Sequence, residues 1–256
     1  MSAPLRPLYR SLLLAALGWG AWAAASAPTL QGELSALREL LAEGYYALAA
    51  QVEGPRVVAA FPESLEARLL YARALLLVGN PDAAGEVLSA LGSAPQAPDA
   101  LHLSALVRAA QGDTEGAAEL LRAAFETSPS YDVAMDWGQV AWQGGHFEEA
   151  ERAYRAAMTT PKGRHEPWPT LNIARLQLMQ GRFEEAVESL NTTLDILEDD
   201  TALLPSPAYI EAFYRLGEAH EALGDLEGAV SHYQAARSVD PDFAPAREAL
   251  RRLGSP

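Results

Sequence analysis

Five histidines, at positions 102, 146, 165, 220 and 232, two glutamate pairs and one acidic run are the residues of this chain best equipped for chemistry. A histidine metal site on a helix needs imidazoles about one turn apart with a carboxylate, as in His-Glu-x-x-His, and no two of the five have that spacing. Glu148-Glu149 and Glu184-Glu185 set carboxyl groups side by side, as acid–base catalysis would use them. Both pairs fall where a helix is expected to begin, and its dipole is a sufficient reason for them. Glu198, Asp199 and Asp200 could attract a cation or a basic partner, but consecutive carboxylates lack the spacing of a calcium loop and read as a solvated helix end. The one lysine, Lys162, belongs to no phosphate-binding Gly-x-x-x-x-Gly-Lys motif, and no Gly-x-Ser-x-Gly elbow is present. The chain has no cysteine, which excludes disulfides, thiolate zinc sites and thiol catalysis. No catalytic residue, cofactor or metal is expected.

The elements that position these residues follow a strong period. Six glycines are each followed five residues later by alanine: Gly44/Ala49, Gly79/Ala84, Gly112/Ala117, Gly145/Ala150, Gly181/Ala186 and Gly224/Ala229. Successive alanines lie 35, 33, 33, 36 and 43 residues apart, the length of one helical hairpin. Glycine after an apolar stretch ends a helix, because it enters the left-handed conformation without a side-chain clash. The acidic residues that follow favour a new helix N-terminus, and the alanine lies where the two helices must approach closely. A small residue stands seven positions before each of the last five glycines: Ala72, Ala105, Gly138, Ala174 and Gly217. A large one stands four positions after each of the last five paired alanines: Leu88, Leu121, Tyr154, Leu190 and Tyr233. Three further on come Leu91, Ala124, Ala157, Thr193 and Ala236, and Pro129 and Pro241 close two of the units. These are the three-and-four spacings of helix faces.

This register resembles the tetratricopeptide repeat family over roughly residues 30 to 243. The best unit is Ile210–Phe243, with Phe213, Leu216, Gly217, Ala229, Tyr233, Ala236 and Pro241 at signature positions and His220 where the family has an aromatic. Tyr131–Arg164 matches through Trp137, Gly138, Ala150, Tyr154 and Ala157. Pro98–Ser130 and Leu65–Ala97 match more weakly, and Pro167–Pro205 lacks the closing proline. Leu30–Ser64 is the most degenerate unit, since Gly54-Pro55 is expected to interrupt its second helix. The resemblance implies an all-α, right-handed α-solenoid of stacked antiparallel helix hairpins, about six over residues 28–256, with Pro245–Leu253 as a capping helix. It also implies a concave groove lined by the first helices, with Arg73, His102, Met135, Gln139, Trp142, Leu171, Arg175, Met179, Tyr214 and Glu218 at its positions. Trp142 and Arg175 stand out, because core packing explains them least. The lysine–asparagine clamp of some members is missing, so a clamp for C-terminal carboxylates is not expected.

Two places break the period. Pro161–Pro169 gathers Lys162, Arg164 and His165 beside Trp168, and reads either as a contact loop for an acidic or aromatic ligand or as a long turn. The 43-residue spacing places nine extra residues around Asp195–Pro207, expected to lengthen the second helix before the chain loops back.

Net charge is −15, from 19 basic and 34 acidic residues, which disfavours nucleic acid or an anionic membrane as main partner. At the N-terminus Arg6 and Arg10 precede an apolar run to Ala27 with small residues at its end, the pattern of an exported leader over residues 1–27. Cleavage after Ala25 would remove Arg6 and Arg10 and lower the net charge to −17. Left uncleaved, the 22 uncharged residues could anchor the chain in a membrane. Arginine outnumbers lysine 18 to 1, in keeping with a GC-rich bacterial genome. The expected function is a non-enzymatic scaffold of the bacterial envelope binding another protein or peptide in the groove. An accessory subunit of an envelope enzyme or polysaccharide machinery, or a self-associating homo-oligomeric solenoid, are the alternatives. Cleavage predicts that mass spectrometry of the mature protein finds an N-terminus beyond Ala25; Arg6 still present would contradict it.

Overall fold

Each helix-ending glycine sets a hairpin in the same way. Gly44, Gly79, Gly112, Gly145, Gly181 and Gly224 all take φ between 74° and 91°, the left-handed region that only glycine enters without cost. The residue after each glycine then donates its N–H back to a carbonyl five residues earlier, as in Tyr45 to Leu40 (2.8 Å), His146 to Ala141 (2.8 Å) and Asp225 to His220 (2.9 Å). These bonds satisfy carbonyls that the helix end leaves free. The next helix is capped where the turn supplies an acceptor: Asp113 and Asp225 accept from Gly116 and Gly228, both at 2.9 Å.

The computed structural model describes residues 29–90, 97–199 and 206–254. Residues 1–27, where a leader is expected, and Leu91, Asp200 and Pro205 lie outside the described residues. The first hairpin pairs α1 (Leu30–Ala42) with a helix in three consecutive pieces: α2 (Tyr46–Leu48), a π-helical turn (Ala49–Glu53) and α3 (Gly54–Ala60). There follow α4 (Leu65–Leu77) with α5 (Pro81–Ser89), α6 (Pro98–Ala110) with α7 (Thr114–Thr127), and α8 (Tyr131–Gln143) with α9 (Phe147–Thr159). The last two hairpins are α10 (Trp168–Met179) with α11 (Phe183–Asp199), and α12 (Pro207–Ala222) with α13 (Leu226–Val239); α14 (Ala244–Arg252) closes the array. Consecutive helices pack on one another, and first helices also touch the next first helix at α1–α4, α4–α6 and α10–α12. The chain is thus an α-solenoid of stacked antiparallel hairpins. Among the described residues no helix is long and apolar enough to cross a membrane.

Within each hairpin a small residue faces a large one. Ala49, Ala84, Ala117, Ala150, Ala186 and Ala229 are all fully buried. Where the second helix carries leucine (Leu88, Leu121, Leu190), the position seven before the glycine is alanine; where it carries Tyr154 or Tyr233, that position is Gly138 or Gly217. A Cβ at Gly138 would overlap the Tyr154 ring, and one at Gly217 the Tyr233 ring. Ring volume on one helix is therefore matched by a missing methyl on its partner. The core is a chain of local clusters, each shared between neighbours: Leu37 with Ala72 and Val107, Leu121 with Trp137, Tyr154 with Leu176, Leu190 with Leu216, and Tyr233 with Leu250.

Three sequence expectations need correction or refinement. Gly54-Pro55 does not interrupt the second helix of the first hairpin. The preceding turn widens to a π-helix, which accommodates the N–H that proline lacks. Gly54 itself is buried, and a Cβ there would overlap the Tyr71 ring of α4. The stretch 161–169, read as a contact loop or a long turn, holds a 3-10 turn at Gly163–His165, and α10 already begins at Trp168. The long period does extend α11, which runs 17 residues to Asp199.

The volume match gives a double-mutant test. Gly138→Ala should cost about 1–3 kcal/mol by overpacking, measured by urea denaturation. Adding Tyr154→Leu, which recreates the alanine–leucine pairing of Ala174 with Leu190, should recover most of that loss. The Tyr154 hydroxyl has no hydrogen-bond partner among the described residues, so its removal forfeits none. Strictly additive losses would contradict the match.

Candidate protein-binding groove

Helices α4, α6, α8, α10 and α12 carry the ten expected groove residues, and their side chains fare differently. Arg73 and Gln139 are exposed, and Met135 and Trp142 are half-buried against the cluster of Ala141, Tyr154 and Leu176. His102 reaches across from α6 to α8, with Nε2 2.6 Å from Asp136 Oδ2. Leu171 has no exposed surface; it belongs to the core between the last two hairpins and offers nothing to a partner. Met179, by contrast, is 59% exposed.

Arg175 is tied down within the protein. Its guanidinium forks onto Glu211 of α12, with Nε donating to Oε1 at 2.8 Å and Nη2 to Oε2. Nη1 donates to Asn172 Oδ1 at 2.8 Å. Arg215 continues the ladder, donating from Nε to Glu211 Oε1 at 3.3 Å and from Nη1 to Glu218 Oε2 at 2.7 Å. Burial pushes Glu211 up, but the hydrogen bonds and charges of Arg175 and Arg215 outweigh it and hold the carboxyl below its ordinary value of 4.5. Burial works against the charge of Arg215 as well, and Glu218 and Glu211 more than restore it. Two arginines and two glutamates thus form a ladder neutral within itself, joining α10 to α12. Arg175, which stood out in the sequence because core packing explains it least, therefore has its guanidinium fork already filled by Glu211. Glu218 is likewise committed to Arg215.

Two pockets flank the ladder and share Arg215. One, of about 320 Å3, is lined by Trp142, Arg175, Leu178, Met179 and Arg215. The other, of about 560 Å3, is lined by Pro207, Ile210, Glu211, Tyr214, Arg215, Asp240, Phe243 and Pro245. Tyr214 is braced edge-on against Phe243 and tilted against Tyr233, both at 5.5 Å between ring centroids. Burial first, then the Glu218 charge, pushes its hydroxyl up to about 12. Sequence reasoning placed Trp142, Arg175, Met179 and Tyr214 here but missed Glu211, Arg215 and Phe243. A signal was available, since Glu211, Arg215 and Glu218 stand four and three residues apart, the spacing of helix charge ladders.

The other candidates are dispersed. Lys162 bonds Asp132 at 2.9 Å and lies 4.4 Å from the centre of the Tyr131 ring. Trp168 packs against the Leu171 cluster, which leaves Arg164 and His165 exposed on the 3-10 turn. Glu149 accepts from Trp137 Nε1 at 3.0 Å, and Glu185 pairs with Arg182; both glutamate pairs lie in first helical turns. His220 and His232 come together, with ring centroids 4.8 Å apart, and His220 Nδ1 lies 2.8 Å from Asp225 Oδ2. Among the described residues no group of three or more such side chains could hold a metal ion.

With this geometry in view, the comparisons are consistent. Tetratricopeptide repeat family models match residues 210–243, 55–98 and 80–132. The first of these spans the unit Ile210–Phe243 read from the sequence. The FK506-binding protein-like protein of Mus musculus is 33% identical over 122 residues, covering 45% of this chain and 33% of its own length. Anaphase-promoting complex subunit 7 of Dictyostelium discoideum is 30% identical over 128 residues, covering 49% and 20%. The chain thus spans a third or less of the length of these relatives. Among solved structures, PilF of Pseudomonas aeruginosa superposes with a TM-score of 0.66 at 16% identity, over 87% of this chain and 97% of that one. PilW, a type IV pilus biogenesis factor, gives 0.68 at 14%, over 88% and 100%. At such identities the likeness is one of fold.

The ladder has a pH signature. Glu211 is depressed in the folded chain, so it contributes stability that is fully present above its unfolded value of 4.5 and lost as pH falls through the folded one. In urea denaturation, wild type should exceed Glu211→Gln in stability at pH 6, and the gap should narrow as pH drops below about 4.5. A gap that widens towards acid would contradict the pairing.

Proposed function

We propose that this chain, a tetratricopeptide-repeat protein, works as a non-enzymatic scaffold whose first-helix groove holds a segment of another protein. The observation that carries the reading is the pair of adjoining pockets beside the Arg175–Glu211–Arg215–Glu218 ladder. Their walls are largely apolar, and Trp142 and Met179 present surface that the solenoid does not consume. Soft and aromatic side chains around a concavity suit apolar anchors from a partner. One similar structure, YrrB, is described as a tetratricopeptide protein with an unusual peptide-binding site; it superposes with a TM-score of 0.60 at 17% identity over 79% of this chain.

The scaffold is proposed to act in the bacterial envelope. The apolar stretch after Arg6 and Arg10 supports export, and the likeness to PilW supports a place in a surface-assembly machine. The net charge of −15 supports a protein partner over nucleic acid.

The test is site-specific crosslinking in cells. A photo-crosslinking residue at Met179 should trap a discrete partner, and Trp142→Ala should suppress that product with helical circular dichroism unchanged. The same residue at exposed Arg152, on α9, should trap none of it. Equal crosslinking from both positions would contradict a first-helix binding face.

A further inference from the structure

We infer that the groove takes an extended, basic peptide segment bearing two apolar side chains, an aromatic one beside Tyr214 and an aliphatic one beside Met179. The inference rests on the scaffold reading and adds the chemistry of the ligand. It starts from how the groove's charges are disposed. The two arginines facing the pockets look like receptors for an acidic ligand, but both are neutralised inside the protein: Arg175 by Glu211, and Arg215 by Glu211 and Glu218. An incoming carboxylate would have to displace a glutamate that is already held at two oxygens, with no net gain in ion pairs. Asp240 also lines the larger pocket. Two arginines and two carboxylates line the pockets, Glu218 beside Arg215 adds a third carboxylate, and Arg252, which also acts on Tyr214, is taken up by Glu221, within a chain whose net charge is −15. Cations on the ligand are favoured at the rim and steered towards it; anions are repelled.

The pockets fix where the anchors go. The larger is walled by the edge-packed rings of Tyr214 and Phe243, which offer edges and faces to an aromatic side chain. The smaller is lined by Trp142, Leu178 and Met179, soft apolar side chains that suit a leucine or methionine. Gly181 and Gly224 close α10 and α12 at equivalent points, and Tyr214 lies eight residues further from its glycine than Met179 does. Roughly 12 Å along the helix axis and roughly 10 Å between neighbouring helices give a span on the order of 16 Å, about five residues of extended chain.

Fluorescence anisotropy with synthetic 15-residue peptides and the full chain tests this. The probe carries phenylalanine and leucine five residues apart in a lysine–serine background, and its partners replace both anchors by serine, or every lysine by glutamate. The basic two-anchor peptide should bind, and each replacement should weaken binding by about tenfold or more. Met179→Ser should weaken it several-fold. Asp240→Asn should weaken it several-fold and flatten its salt dependence. Neither position is buried in the core, so both variants should keep the wild-type circular dichroism. Equal or tighter binding of the glutamate peptide, binding indifferent to both variants, or no binding by any peptide would overturn the inference. If the peptides fail while crosslinking at Met179 persists, the ligand chemistry is wrong and the scaffold stands; if the crosslink is also lost, both fail.

Discussion

The close approach of two helices within each hairpin is the constraint on which the rest depends. A backbone brought against a neighbouring ring or leucine leaves room for a methyl group or for nothing, so alanine faces leucine and glycine faces tyrosine. The fully buried Ala49, Ala84, Ala117, Ala150, Ala186 and Ala229 keep the same approach on the other strand of the contact. Because each of the last five hairpins satisfies this condition alone and buries its remaining apolar face only on its neighbours, the core is a row of small clusters with no single centre. The sequence period is the visible trace of that repetition.

The same geometry decides which residues remain available for function. Side chains turned towards the partner helix are consumed by packing, as Leu171 shows. Side chains on the outer surface of the first helices remain, as Met179 and Gln139 show. Between these extremes lies the ladder from Arg175 to Glu218. It joins the last two hairpins and leaves an internally neutral partition between two apolar pockets. The ladder therefore shapes the groove more than it feeds charge into it.

Much of this was legible in the residues. Helix-ending glycines, paired alanines and the capping helix follow local rules that one turn of chain enforces, so the hairpins could be read from spacing alone. Trp142, Met179 and Tyr214, which the family resemblance set at groove positions, line the two pockets beside the ladder. What register does not fix is the partner of a charge. Arg175 and Glu211 are 36 residues apart, and their pairing depends on how α10 meets α12. Lys162 and Asp132 pair across 30 residues in the same way. Gly54-Pro55 misled for a different reason: the rule that proline breaks a helix assumes α geometry, and a π turn evades it.

The central claim is that each hairpin is closed by its own small–large contact and is held only by its neighbours. Native-state hydrogen exchange read by mass spectrometry tests it most directly. Amides of α6 to α9, the central two of the six hairpins, should exchange most slowly, and protection should fall in steps towards α1 and α14. Uniform protection along the chain, lost in a single global opening, would contradict the claim.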